Sequence, residues 1–131
     1  MRFISTRTHA VNDYIFGIML IVIPLFFWGD GGAAVWVPVV IGIVLTLQSL
    51  ITNYEFSLAG LVPVKVHLLV DAIAGMILLI SPWLFDFAET VWRPHVVIGV
   101  VEIGFALFTR THREQPVSYP NPPRRAAIPS R

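Results

Sequence analysis

Apolar residues run almost without interruption from Tyr14 to Trp28, from Val35 to about Asn53, from Val64 to about Phe85, and from Arg93 or Pro94 to about Thr109. About 20 such residues, at a helical rise of about 1.5 Å each, match a hydrocarbon core of about 30 Å. The pattern therefore predicts an all-α membrane protein with four transmembrane helices, the first beginning near Ala10. Gly29-Asp30-Gly31-Gly32 supplies the first reversal, Tyr54 to Pro63 the central connection, and the stretch with Asp86 and Glu89 the last turn. Pro38 fits the first turn of the second helix, where amide hydrogens lack acceptors. The fourth span is the shortest and carries Glu102 in its interior.

The same polar marks recur along the chain. His9, Asp13, Gly17 and Pro24 return as His67, Asp71, Gly75 and Pro82 at an offset of 58; Trp36 and Pro38 return as Trp92 and Pro94 at 56; Val40-Ile41-Gly42 returns as Val97-Ile98-Gly99 at 57. Each copy contains an even number of crossings, so the second starts on the same side as the first. The four helices thus read as two parallel two-helix repeats, approximately 9–53 and 67–109, related by an axis along the membrane normal. The recurrence in mid-chain also argues that the first apolar run is a retained span and not a cleaved signal peptide.

Charge sets the orientation. The N-terminal segment, central connection and C-terminal tail hold Arg2, Arg7, Lys65, Arg110, Arg113, Arg124, Arg125 and Arg131, and the two opposite turns hold only Arg93. The positive-inside rule then places both termini in the cytoplasm. Trp28, Trp36, Trp83 and Trp92 flank the two opposite turns and form an interfacial belt. The domain organisation expected is a cytoplasmic segment 1–9, a membrane domain 10–109 and a proline- and arginine-rich cytoplasmic tail 110–131, extended or disordered, with arginines that reach anionic headgroups.

Composition agrees with lipid as the main solvent: 56% of residues are hydrophobic and only 13% are Asp, Glu, Lys or Arg. No cysteine is present, which excludes disulfides and thiolate ligands or nucleophiles. No basic patch interleaved with stacking aromatics points to a nucleic-acid partner.

Asp71-Ala72-Ile73-Ala74-Gly75 followed by Ser81-Pro82-Trp83, set within the duplication, resembles the bacterial SPW-repeat membrane-protein family over about residues 9–109. The resemblance implies a compact multi-helix module in a bacterial inner membrane and supplies no catalytic residue. Gly17, Pro24, Gly75, Ser81, Pro82 and Trp83 carry its structural motif, although the first copy reads Ile23-Pro24-Leu25 where the second reads Ser81-Pro82-Trp83.

The candidate chemistry lies in two places. His9, Asp13 and Gly17, like His67, Asp71 and Gly75, fall within an arc of roughly 80° on one helix face. Each His-Asp pair can serve packing and helix-end electrostatics. If both stripes face inward, the two pairs could hold a divalent metal such as zinc, and the two histidines could axially hold a haem. Glu102 lies where a lone carboxylate must pair, protonate or face water; the expected arrangements are a hydrogen bond to Gln48, Ser49 or Thr46, or an ion path with His95. Ser81 lacks the partners of a nucleophile. The expected function is a noncatalytic inner-membrane scaffold or accessory protein in contact with lipids, self-associating or joined to a membrane-protein partner. The alternatives are a small proton-coupled transporter or ion-conducting protein, and a metal- or haem-binding membrane protein.

Overall fold

The computed structural model describes residues 2–28, 31–53 and 55–112. Among them are four helices: α1 (Thr6–Phe27), α2 (Ala33–Ile51), α3 (Val64–Leu84) and α4 (Arg93–Phe108). The expected tail, 110–131, falls largely on residues 113–131, which lie outside the described residues. Helix α1 starts at Thr6 and not near Ala10, because Ser5 in an extended conformation accepts the Thr8 amide at 3.0 Å and caps the helix there. His9 consequently sits inside the helix. Gly32, at φ 82°, turns the chain into α2.

Helices α1, α2 and α3 are each long and apolar enough to cross a membrane, as a multi-pass protein requires. Helix α4 has the bounds expected of the shortest span, but not the length of a full crossing. Its 16 residues reach about 24 Å at 1.5 Å per residue, short of a hydrocarbon core of about 30 Å. Large apolar side chains such as Ile15, Ile18, Leu47, Leu69, Ile73, Val97 and Val100 point outward. Pro24 and Pro82 lie inside the last turns of α1 and α3, whose carbonyls at Pro24 and Ser81 still accept the amides of Trp28 and Phe85.

Two antiparallel hairpins result: α1 packs closely on α2 and α3 on α4, while α2 and α3 meet more lightly. Glycines decide the close packing. A Cβ on Gly42 would lie 2.5 Å from the Gly17 carbonyl oxygen, and one on Gly99 would lie 2.6 Å from that of Gly75 and 2.8 Å from the Leu79 amide. Backbone therefore meets backbone in each hairpin, at positions where the small residue is required. Leu20, Ile41, Leu45, Ala74 and Leu78 form the central apolar core.

Short parallel contacts close the end of the bundle where α1 and α3 begin and α2 and α4 finish. Ile4 donates its amide to Phe108 and its carbonyl accepts from Arg110, at 3.0 and 2.9 Å; Val62 donates to Ile51 and accepts from Asn53, at 3.0 and 2.8 Å. The segment leading into each odd-numbered helix is thus stitched to the end of an even-numbered one.

Gly99→Ala should cost about 1–3 kcal/mol of stability, the usual range for overpacking, because the clash is with backbone. Gly104→Ala, with nothing within 4 Å of its added methyl, should be neutral or slightly stabilising. Thermal unfolding of the two variants in detergent checks the contrast.

Candidate metal centre

At the end of the bundle where they begin, helices α1 and α3 turn their His-Asp stripes toward each other. His9, Asp13, His67 and Asp71 are all completely buried. The shortest contacts run between hairpins: His9 Nε2 lies 2.9 Å from Asp71 Oδ2, and His67 Nε2 lies 2.9 Å from Asp13 Oδ2. The contacts along each helix, expected from the i, i+4 spacing, are longer: 3.3 Å for His9 to Asp13 and 3.1 Å for His67 to Asp71. One ligand atom from each residue lies within 4.8 Å of the others.

Threonines orient both rings. Thr52 gives its hydroxyl proton to the Gln48 carbonyl at 2.6 Å, so its oxygen accepts from His67 Nδ1 at 2.8 Å. Thr109 likewise donates to the Phe105 carbonyl at 2.6 Å and accepts from His9 Nδ1 at 2.9 Å. A hydroxyl has one proton; since the carbonyl receives it, each Nδ1 carries hydrogen and each Nε2 faces the carboxylates. This is the outer-shell arrangement that fixes tautomer and ring orientation in metal-ligating histidines. Thr52 and Thr109 were absent from the sequence-based candidates, although their recurrence at an offset of 57 was there to be read.

Helix α2 supplies further donors. Ser49 donates to Asp13 Oδ2 at 3.0 Å, and the Gln48 side-chain amide donates to Asp71 Oδ1. This corrects the expected role of both residues as partners of Glu102. Thr46, the third expected partner, donates to the Gly42 carbonyl at 2.8 Å. Glu102 is fully buried beside Gly75, and neither carboxylate oxygen has a hydrogen-bond partner among the described residues.

His95 is not joined to Glu102 either. It donates to the Ala34 carbonyl at 3.1 Å and sits between the rings of Trp28 and Phe87, with centroids 5.1 and 4.8 Å away. Trp28 therefore packs on a buried histidine, while Trp36, Trp83 and Trp92 are exposed at the same end of the bundle.

Chemically, each Nε2 can carry a proton to a carboxylate or offer its lone pair to a cation. Two protons or one divalent ion balance the two aspartates equally. A tetrahedral ion with bonds of about 2.0–2.2 Å holds its ligands roughly 3.3–3.6 Å apart; the His-Asp pairs at 2.9–3.3 Å would open by a few tenths of an ångström, and ligand atoms up to 4.8 Å apart would draw together. A His2Asp2 set of this kind could coordinate a divalent metal. Haem does not fit: the histidine ring centroids are 5.4 Å apart and tilted by 75°. The carboxylates occupy the space between their Nε2 atoms, leaving no planar slot.

The SPW repeat domain model matches residues 7–109. The chain belongs to the SPW repeat domain family. No curated protein and no solved structure matches it. In this SPW repeat domain the Ser81 hydroxyl donates to the Leu78 carbonyl at 2.9 Å, Pro82 is buried, and the exposed Trp83 ring lies tilted against that of Trp92, with centroids 6.4 Å apart. The triplet thus shapes the end opposite the His-Asp centre.

Thr52→Val should alter the imidazole nitrogen resonances of His67, and Thr109→Val those of His9, in 15N-histidine NMR. Unchanged spectra in both variants would show that the hydroxyls do not set the tautomers.

Proposed function

We propose that this protein is a multi-pass membrane protein whose two hairpins are clasped by a divalent transition metal of the zinc class, held by His9, Asp13, His67 and Asp71. The observation that supports this best is the convergence of four fully buried ligand atoms, with both imidazoles oriented by threonines. Each hairpin contributes one histidine and one aspartate, and the helices that join the hairpins otherwise meet lightly. Burying such charges is costly unless they are matched by partners, and one divalent ion would match both aspartates at once. Four protein ligands complete a tetrahedral shell, the pattern of structural and not catalytic sites. An accessory or scaffolding role is then exercised through the clasp and not through a reaction.

This reading includes a membrane crossing by α4 despite its length, an evolutionary duplication behind the two hairpins, and placement in a bacterial inner membrane with cytoplasmic termini. The distribution of Lys and Arg supports the orientation. It puts the metal near the cytoplasmic boundary, with a membrane domain over about 10–109 and a cytoplasmic tail over 110–131.

Protein purified without chelator, or loaded afterwards, should bind one equivalent of Zn(II) or Co(II), with the intense visible absorption of tetrahedral Co(II). His67→Ala and Asp71→Ala should abolish binding. Thr52→Val, which keeps every ligand, should weaken it by about 10–100-fold, and chelation should lower the unfolding temperature. Absence of stoichiometric metal after both purification and loading sinks the proposal.

A second reading, cation passage, draws on one observation: the buried Glu102 carboxylate without a hydrogen-bond partner among the described residues. Sealed vesicles containing the protein should then show ion or proton flux that Glu102→Gln abolishes. No flux across a range of ions and gradients dismisses it, independently of the metal measurement.

A further inference from the structure

The two hairpins treat equivalent grooves differently. Between α1 and α2, at the end where α1 begins, the groove is filled by the chain itself. Tyr14 donates its hydroxyl to the Phe56 carbonyl at 3.0 Å, the Arg7 guanidinium lies 5.4 Å over the Phe56 ring, and the Leu58 amide donates to the Leu50 carbonyl at 2.7 Å. The central connection is thereby folded back over its own hairpin.

Between α3 and α4 the corresponding positions read differently. Lys65 stands where the first hairpin has Arg7, Ala72 where it has Tyr14, and Leu107 where it has Leu50, at offsets of 58, 58 and 57. Exchanging a tyrosine for an alanine leaves room. A cleft of about 380 Å³ opens there, with Arg2, Lys65, Leu68, Leu69, Ala72 and Leu107 among its lining residues. Arg2 is held in place by a 2.8 Å hydrogen bond from Nη1 to the Thr109 carbonyl.

We infer that this cleft binds an anionic phospholipid, its phosphate on Arg2 and Lys65 and an acyl chain along Leu68, Leu69 and Ala72. Cations sit at the helix ends, at headgroup depth, and the apolar wall runs from them along α3 toward the hydrocarbon. Basic pockets between membrane helices on the cytoplasmic side suit acidic headgroups in this way. The chain that follows α4 is a poor occupant on charge. Beyond residue 112 it carries Arg113, Arg124, Arg125 and Arg131 against the single acid Glu114, and Arg2 and Lys65 repel it. The inference is independent of the metal.

Native mass spectrometry of the full-length protein, released in mild detergent and titrated with phosphatidylglycerol or phosphatidylcholine, tests it. One phosphatidylglycerol should be retained in preference to phosphatidylcholine. Arg2→Gln combined with Lys65→Gln should lower that retention by roughly thirtyfold, the effect of two interfacial charges. Ala72→Tyr should block binding with both charges intact, since it restores the side chain that fills the other hairpin's groove. Circular dichroism of each variant verifies the fold.

Equal retention of the two lipids, or retention unchanged in the double variant or in Ala72→Tyr, overturns the proposal. Inorganic phosphate that binds the wild type and Ala72→Tyr alike would reveal a free-anion site in place of a lipid site. Retention that appears only after removal of residues 113–131 would identify the tail as the occupant, and also overturns it.

Discussion

Two aspartates and two histidines, all fully buried at one end of a helical bundle, impose the condition that the other polar contacts there satisfy. In an environment without water, each carboxylate oxygen and each ring nitrogen has to find a partner inside the protein. The shortest solution crosses between hairpins: each histidine is nearer the aspartate of the other hairpin than its own. Electrostatic satisfaction and hairpin assembly are therefore one event. Neither hairpin can complete its polar end alone, and the His2Asp2 set could coordinate a divalent metal.

The supporting residues share a symmetry of position but not of chemistry. Thr52 and Thr109 orient the two rings in equivalent ways across the two hairpins. The donors to the aspartates, by contrast, both come from α2, through Gln48 and Ser49. Their counterparts at an offset of 57 are Phe105 and Ala106, and the counterpart of Leu45 is Glu102. One hairpin thus specialises in solvating the centre, while the other places an extra carboxylate deeper in the bundle. The glycine contacts at Gly17, Gly42, Gly75 and Gly99 remain common to both, because close backbone approach is what each hairpin needs to form at all.

The same difference between the hairpins shapes the surface. Tyr14 and the central connection seal one groove, whereas Ala72 leaves the other open beneath two cations. At the opposite end, Ser81 and Pro82 are buried, Trp83 and Trp92 meet with tilted rings, and buried His95 contacts the rings of Trp28 and Phe87. A polar, charge-satisfied end and an aromatic end are thereby separated by the leucine-rich middle.

Much of this was determined by local sequence. The lengths of the apolar runs set the helices to within a few residues, with α1 extended by its Ser5 cap. The matched offsets of 56 to 58 placed His9 with His67 and Asp13 with Asp71 on equivalent faces. Helical periodicity acts over a turn or two, and a span of apolar residues has few ways to satisfy its backbone in lipid, so these features can be read without knowing the fold.

Rotation of one helix against another belongs to the tertiary structure alone. It decided that the His-Asp contacts cross between hairpins, that Gln48 and Ser49 serve the aspartates and not Glu102, and that Thr52 and Thr109 complete the site. Spacing along a chain fixes which residues share a face. Only packing, through the glycine contacts and the burial of every polar partner, decides what that face meets.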